Sequence, residues 1–208
     1  MVIDSTPSPA DKKVIKPHSY PVIIAKLDLK RCCCRLSDFK MRKTTIKEAK
    51  PYRLTVNTAW DRVIEGIWDR HGVNWVFPSL ANAYKQLIPP SSYLTRMYSI
   101  ELWYGDELAA GEIGYTCGGS YTSLSGYFVK KFPGAGRVQL TALGCLLRKC
   151  GFDLWDWGMF MEYKVPYGAS KYSRELFFDL YHQNLRLSPI PLEIYITEQP
   201  NQADLIIT

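Results

Sequence analysis

Apolar positions along this chain change period in an orderly way. The run YRLTV at Tyr52–Val56 alternates and predicts a strand. Trp60, Val63, Ile64, Ile67 and Trp68 then fall at i, i+3, i+4, i+7 and i+8, which predicts an amphipathic helix. Thr58 and Asp61 have capping-box spacing at its start. Ser79 reads as the cap of a second helix with Leu80, Ala83, Tyr84 and Leu87 on one face, stopped by Pro89-Pro90. Period two returns over Met97–Tyr104, Leu108–Cys117 and Ser120–Val129, with Gly105-Asp106 and Gly118-Gly119 as turns, so a β-meander is expected. Ala135–Cys150 reads as a helix with Leu140, Leu143, Gly144 and Leu147 inward. Phe152–Trp157 reads as a buried strand, and Ser173–His182 is helical again.

Upstream, residues 1–18 are rich in Pro, Ser and charge and read as a flexible tail. Residues 19–50 form a basic lead-in segment, with a short strand expected within HSYPVIIAKLDL at His18–Leu29. Residues 51–208 form the main domain. Helices, an antiparallel meander, a helix and a further strand make it α/β (α+β).

Composition narrows the class. With 47% hydrophobic and 22% charged residues the chain is globular. A net charge of +6 favours a polyanionic partner only mildly. Six Trp and fourteen Tyr point to aromatic packing or stacking surfaces. No metal site is expected: Cys32, Cys33 and Cys34 are consecutive, Cys117, Cys145 and Cys150 lack C-x-x-C spacing, and there are only three His. No apolar run approaches the 18 residues of a membrane span. The first residues, MVIDSTPSPADKKVIKP, lack the apolar core of a secretory signal, so a reducing cytosol is the default compartment.

Several spaced blocks occur in a telling order: PYR at Pro51–Arg53, VIEG at Val63–Gly66, Trp75 shortly after Gly72, SIELW with GDEL at Ser99–Leu108, the aspartate of LWDW, and Gly168-Ala169 followed by Arg174. Together they resemble the leucyl/phenylalanyl-tRNA–protein transferases over roughly Pro51 to His182. The resemblance implies an acetyltransferase-like (GNAT, acyl-CoA N-acyltransferase-like) domain. It implies transfer of a bulky apolar residue (Leu, Phe or Met) from aminoacyl-tRNA to the N-terminal Arg or Lys of an acceptor protein, marking that protein for degradation. No cofactor and no metal are implied, because the donor ester is already activated. Bacterial members begin with an additional N-terminal domain, and the resemblance implies that this chain starts after it.

The same resemblance assigns residues. Asp156 falls on the family's strand-end aspartate, implied to assist proton removal or to orient the reacting groups; it is equally read as a strand-terminal Asp accepting backbone N–H bonds. Trp75, Tyr121, Leu140, Leu143, Leu147 and Trp155 match the aminoacyl pocket, although a Leu stripe and a Trp are also what a core needs. Arg31, Arg35, Lys40, Arg42, Lys43, Lys47 and Lys50, with a second cluster at Lys130, Lys131 and Arg137, would meet tRNA phosphates or simply form a solvated face. Glu101 matches a family acid and is as easily a solvated strand residue.

Two family polar residues are missing, since Leu124 stands for a glutamate and Gly158 for a glutamine, with backbone N–H groups around Gly158 as substitutes. Glu112 stands where an apolar pocket residue is expected. Two other functions stay open. One is a non-catalytic homologue that binds tRNA or protein N-termini. The other is an acyl-CoA-dependent enzyme, for which FPGAGR at Phe132–Arg137 is a weak phosphate loop.

Overall fold

A computed structural model describes residues 30–73, 75–89 and 95–198. The expected tail and the strand expected before Lys30 lie outside the described residues. One mixed sheet of seven strands organises the rest, in the order β2-β3-β4-β5-β6-β1-β7. Its strands are β1 (Lys30–Arg35), β2 (Tyr52–Val56), β3 (Thr95–Tyr104), β4 (Glu107–Cys117), β5 (Ser120–Phe128), β6 (Leu154–Gly158) and β7 (Ser170–Ser173). The helices are α1 (Lys43–Ala49), α2 (Trp60–His71), α3 (Pro78–Lys85), α4 (Ala135–Lys149), α5 (Arg174–Asn184) and α6 (Leu192–Glu198). Every strand pair is antiparallel except β5 with β6.

The meander forms as its pattern requires. Gly118 sits at φ +54°, where a side chain is strained, and a Cβ there would lie 2.3 Å from the Asn184 carbonyl oxygen. Alternation along β3 sends Tyr98, Ile100 and Leu102 into the core under α4, and Met97 into a second core under α2 and α3. Trp60, Val63, Ile64 and Ile67 close that second core from α2, as their spacing predicts. Phe39, from the turn after β1, presses its ring against Gly144 of α4, where a Cβ would come within 2.2 Å of the ring.

Three expectations are corrected. The basic lead-in is no separate segment over residues 30–50: β1 is inserted between β6 and β7, and Cys32, Cys34, Leu36 and Phe39 belong to the main core. Burial of CCC between two strands outweighs the charge of the flanking residues. Ser79 does not cap α3; the helix begins at Pro78, whose fixed φ suits the first helical position, and this turns Ala81 inward and leaves Ala83 exposed. Glu101 is no solvated residue but 0% exposed.

The capping box at Thr58 and Asp61 gives way to that same glutamate. Ala59 is the N-cap of α2 and no side chain of the helix caps it. Instead Glu101 reaches over from β3. It accepts bonds from the Ala59 N–H (3.2 Å) and Thr58 N–H (3.4 Å), and from the hydroxyls of Thr58 (3.0 Å), Thr55 (2.5 Å) and Ser99 (2.6 Å). A negative charge there also complements the positive end of the helix dipole.

All six cysteines are buried and free, and burial raises the Cys34 thiol to about 12 and the Cys145 thiol to about 11. Among the described residues no helix is long and apolar enough to cross a membrane.

Two outcomes are expected. Glu101→Ala removes the acceptor shared by three hydroxyls and the first α2 N–H groups, so urea unfolding should show a loss of about 3 kcal/mol. Gly144→Ala should cost about 1–3 kcal/mol by the same measurement, because the buried Phe39 ring would have to shift to admit the new Cβ.

Candidate active site

The site arises from a fault in the sheet. β5 and β6 pair in parallel only at Ser120↔Leu154, Tyr121↔Trp155 and Thr122↔Asp156. β5 then runs on to Phe128 beside β4, while β6 continues beside β1 to Gly158. Past Thr122 the edge of β5 that faces β6 has no strand partner among the described residues, and a cavity of about 700 Å³ opens there. Ser123, Leu124 and Phe128 of β5 line one wall; Trp155 and Trp157 of β6 line the other. Leu140 of α4, with Phe132 and Gly134 before that helix, closes a third side. This size falls within the range of small-molecule sites.

Aromatic rings shape the floor. Trp155 and Trp157 share a strand face with ring centroids 4.7 Å apart. Trp155 Nε1 donates to Ser123 Oγ at 3.0 Å. Ser123 Oγ in turn donates to Glu112 Oε1 at 2.9 Å, and Tyr121 Oη donates to the same oxygen at 3.1 Å. Burial raises the Glu112 carboxyl above its ordinary range, opposed by the Ser123 bond, the charge of Lys164 and the Tyr121 bond. Lys164 is 7% exposed, lies over the Trp157 ring at 5.4 Å, and has its own pKa lowered by burial.

Asp156 stands at the fork but does not line the cavity. Arg31 Nε lies 3.0 Å from its Oδ1 and 2.8 Å from its Oδ2, and Arg31 Nη2 lies 2.8 Å from Oδ2. Thr122 Oγ1 (3.3 Å), the Gly158 N–H (2.9 Å) and, more distantly, the Cys33 thiol (3.9 Å) also donate to it, and the residue is 1% exposed. The Gly158 N–H is thus turned onto Asp156. Arg31, expected among the tRNA cations, is committed inward to this carboxylate.

The other expected site residues divide. Leu140 and Trp155 line the cleft, whereas Leu143 and Leu147 are 0% exposed core residues and Tyr121 contributes through its hydroxyl. Trp75 is 56% exposed between α2 and α3, away from the cleft lining. Lys130 and Arg137 stand on the cleft, joined by Arg70 and His71 from α2, and Arg137 is paired with Glu48 (2.9 Å). Lys131 pairs with Glu107 and Arg35 with Asp153 (3.1 Å). Lys40 and Lys43 are exposed, and Arg42 lies 5.9 Å from the ring of Tyr167, a cleft residue. Among the described residues no cluster of His, Cys, Asp or Glu is arranged to hold a metal.

Sequence reasoning missed Ser123, Trp157 and Lys164. Glu112 carried a signal, as an acid in the otherwise apolar run AAGEIG. Lys164 carried none, because its burial depends on how a 3₁₀ turn, Glu162–Tyr167, folds over the fork.

Residues 33–182 match the family described as leucyl/phenylalanyl-tRNA protein transferase. The chain belongs to that family. The leucyl/phenylalanyl-tRNA–protein transferase of Thermosynechococcus vestitus is 30% identical over 136 residues, 65% of this chain and 65% of that protein. The one from Legionella pneumophila (strain Corby) is 27% identical over 154 residues, 72% of this chain and 67% of that protein. The chain therefore spans about two thirds of the length of the curated relatives it matches. Among solved structures, the C-terminal domain of a putative lysylphosphatidylglycerol synthetase from Agrobacterium fabrum is similar at a TM-score of 0.47 and 12% identity, covering 76% of this chain and 51% of that one.

The geometry of the Arg31–Asp156 pair predicts a contribution to stability. Asp156→Asn is expected to cost about 3 kcal/mol in denaturant unfolding, since it leaves a half-buried guanidinium facing an amide. Adding Arg31→Met should recover part of that loss, as a double-mutant cycle would measure.

Proposed function

We propose that this chain transfers an aminoacyl group from aminoacyl-tRNA to the N-terminal α-amine of a protein, in a GNAT-like cleft. The observation that carries the reading is the parallel strand fork: a substrate-sized cavity with an aromatic floor, an unpaired strand edge and cations on its rim. An aminoacyl ester needs no further activation. The protein has to align amine and ester, accept a proton and stabilise the oxyanion. The unpaired edge of β5 offers backbone groups to a peptide-like ligand, in the manner of strand addition. Trp155, Trp157, Leu140 and Phe132 suit a bulky apolar side chain such as Leu, Phe or Met. Lys130, Arg70 and Arg137 suit the phosphates of a tRNA 3′ end, which require charge but no base readout. The acceptor is a protein beginning with Arg or Lys, marked in this way for degradation in the cytoplasm. Asp156 then serves as a positioning residue that fixes the fork.

One observation favours a second reading, a non-catalytic binder. Both Asp156 oxygens are engaged, and neither Leu124 nor Gly158 supplies a polar side chain.

The test is transfer of radiolabelled Phe or Leu from charged tRNA to a protein beginning with Arg, with Met- and Glu-initiated proteins as controls. Labelling of the Arg-initiated protein alone supports the reading. Binding of charged tRNA without labelling favours the binder, and stabilisation by CoA with indifference to tRNA favours an acyl-CoA-dependent enzyme. Lys130→Ala should weaken tRNA binding and lower the slope of log affinity against log salt by about one.

A further inference from the structure

Two carboxylates stand at the fork in opposite situations. Asp156 is held by Arg31, Thr122 and the Gly158 N–H on the side away from the cleft. Glu112 lines the cavity, and it is the only carboxylate among the described residues that does. Its hydrogen bonds from Ser123 Oγ and Tyr121 Oη both fall on Oε1. The two anchors are themselves fixed. Trp155 Nε1 donates to Ser123 Oγ at 3.0 Å, and the Tyr121 ring meets Trp155 nearly edge-on at 6.4 Å. Ser123 is also the first β5 residue beyond the last pair to β6, so Glu112 is tethered where the cleft begins.

We propose that Glu112 is the proton acceptor of the transfer reaction, with Oε2 meeting the attacking amine; this rests on the aminoacyl-transfer reading above. The neutral α-amine attacks the ester carbonyl carbon, a C–N bond forms, and the carbonyl π pair moves onto oxygen. Glu112 takes one proton from the ammonium so formed. The tetrahedral oxyanion collapses, the C–O bond to the tRNA ribose oxygen breaks, and Glu112 returns the proton to that oxygen. The products are an amide and a tRNA hydroxyl, with the carboxylate regenerated.

The surroundings suit this role. The groups around Glu112 are Tyr121 and Ser123 of β5, Trp155 of β6, and Lys164 with Tyr163 of the 3₁₀ turn, while Arg70 and His71 of α2 stand elsewhere on the same cavity. Burial raises the basicity of the Glu112 carboxylate above its ordinary range, while the charge of Lys164 favours its ionised form. The histidine on this cavity is committed elsewhere, since His71 Nε2 contacts the Gly126 carbonyl at 2.8 Å.

Single-turnover transfer by wild type, Glu112→Gln and Glu112→Ala tests the proposal, with binding of charged tRNA measured separately. Glu112→Gln should slow transfer by about 10²-fold or more with tRNA affinity unchanged. Added formate should restore part of the Glu112→Ala rate, and chloride at equal ionic strength should not. On acidification the wild-type rate should fall with the loss of two protons' worth of slope, one from the amine and one from Glu112, and the Gln variant should show one. A Gln variant as fast as wild type, a loss confined to tRNA affinity, or a loss that formate leaves untouched overturns the role of Glu112 while leaving the transferase reading intact. A wild type that binds charged tRNA and transfers nothing overturns that reading, and the role of Glu112 with it.

Discussion

One carboxylate holds three strands at the point where the sheet divides. Asp156 belongs to β6, takes a guanidinium from β1 and a hydroxyl from β5, and satisfies the N–H of the glycine that ends its own strand. Arg31 keeps about a third of its side chain exposed, so the pair is desolvated mainly on the aspartate side. The desolvation penalty is offset because a guanidinium, a hydroxyl, a backbone N–H and a thiol converge on the two oxygens. With β6 fixed to β1 in this way, β5 is free to continue with β4, and the gap between them becomes the cleft.

Periodicity made most of the scaffold legible. The α2 stripe, the meander and α4 follow from spacing alone, because each buries a face against the sheet and its period is set by backbone geometry. What spacing cannot convey is contact between residues far apart in sequence. The cap on α2 comes from Glu101, about forty residues on, and it displaced a local capping box that looked sufficient. Arg31 reads as one of many cations until its partner, 125 residues away, is seen. The cluster CCC reads as a curiosity in a basic stretch, yet it makes β1 an interior strand.

The site was less legible than the scaffold for a related reason. An aromatic floor and a core use the same residue types, so Leu140 on the cleft and Leu143 inside the core are indistinguishable by pattern. Half-buried Glu112 and buried Lys164 break that pattern, and protein interiors tolerate such residues only with partners. Here the partners are two hydroxyls, an aromatic face and each other's charge.

The buried thiols have a consequence of another sort. Only a thiolate is readily alkylated, and burial leaves little of it in the folded protein at neutral pH. Cys32, Cys33 and Cys34 lie side by side in a strand with neighbours on both edges, so reagents reach them when β1 separates from β6 or β7. The chain thus carries its own spectroscopic clock: the rate at which these sulfurs colour a thiol-sensitive dye reads out how often the sheet opens beside the fork.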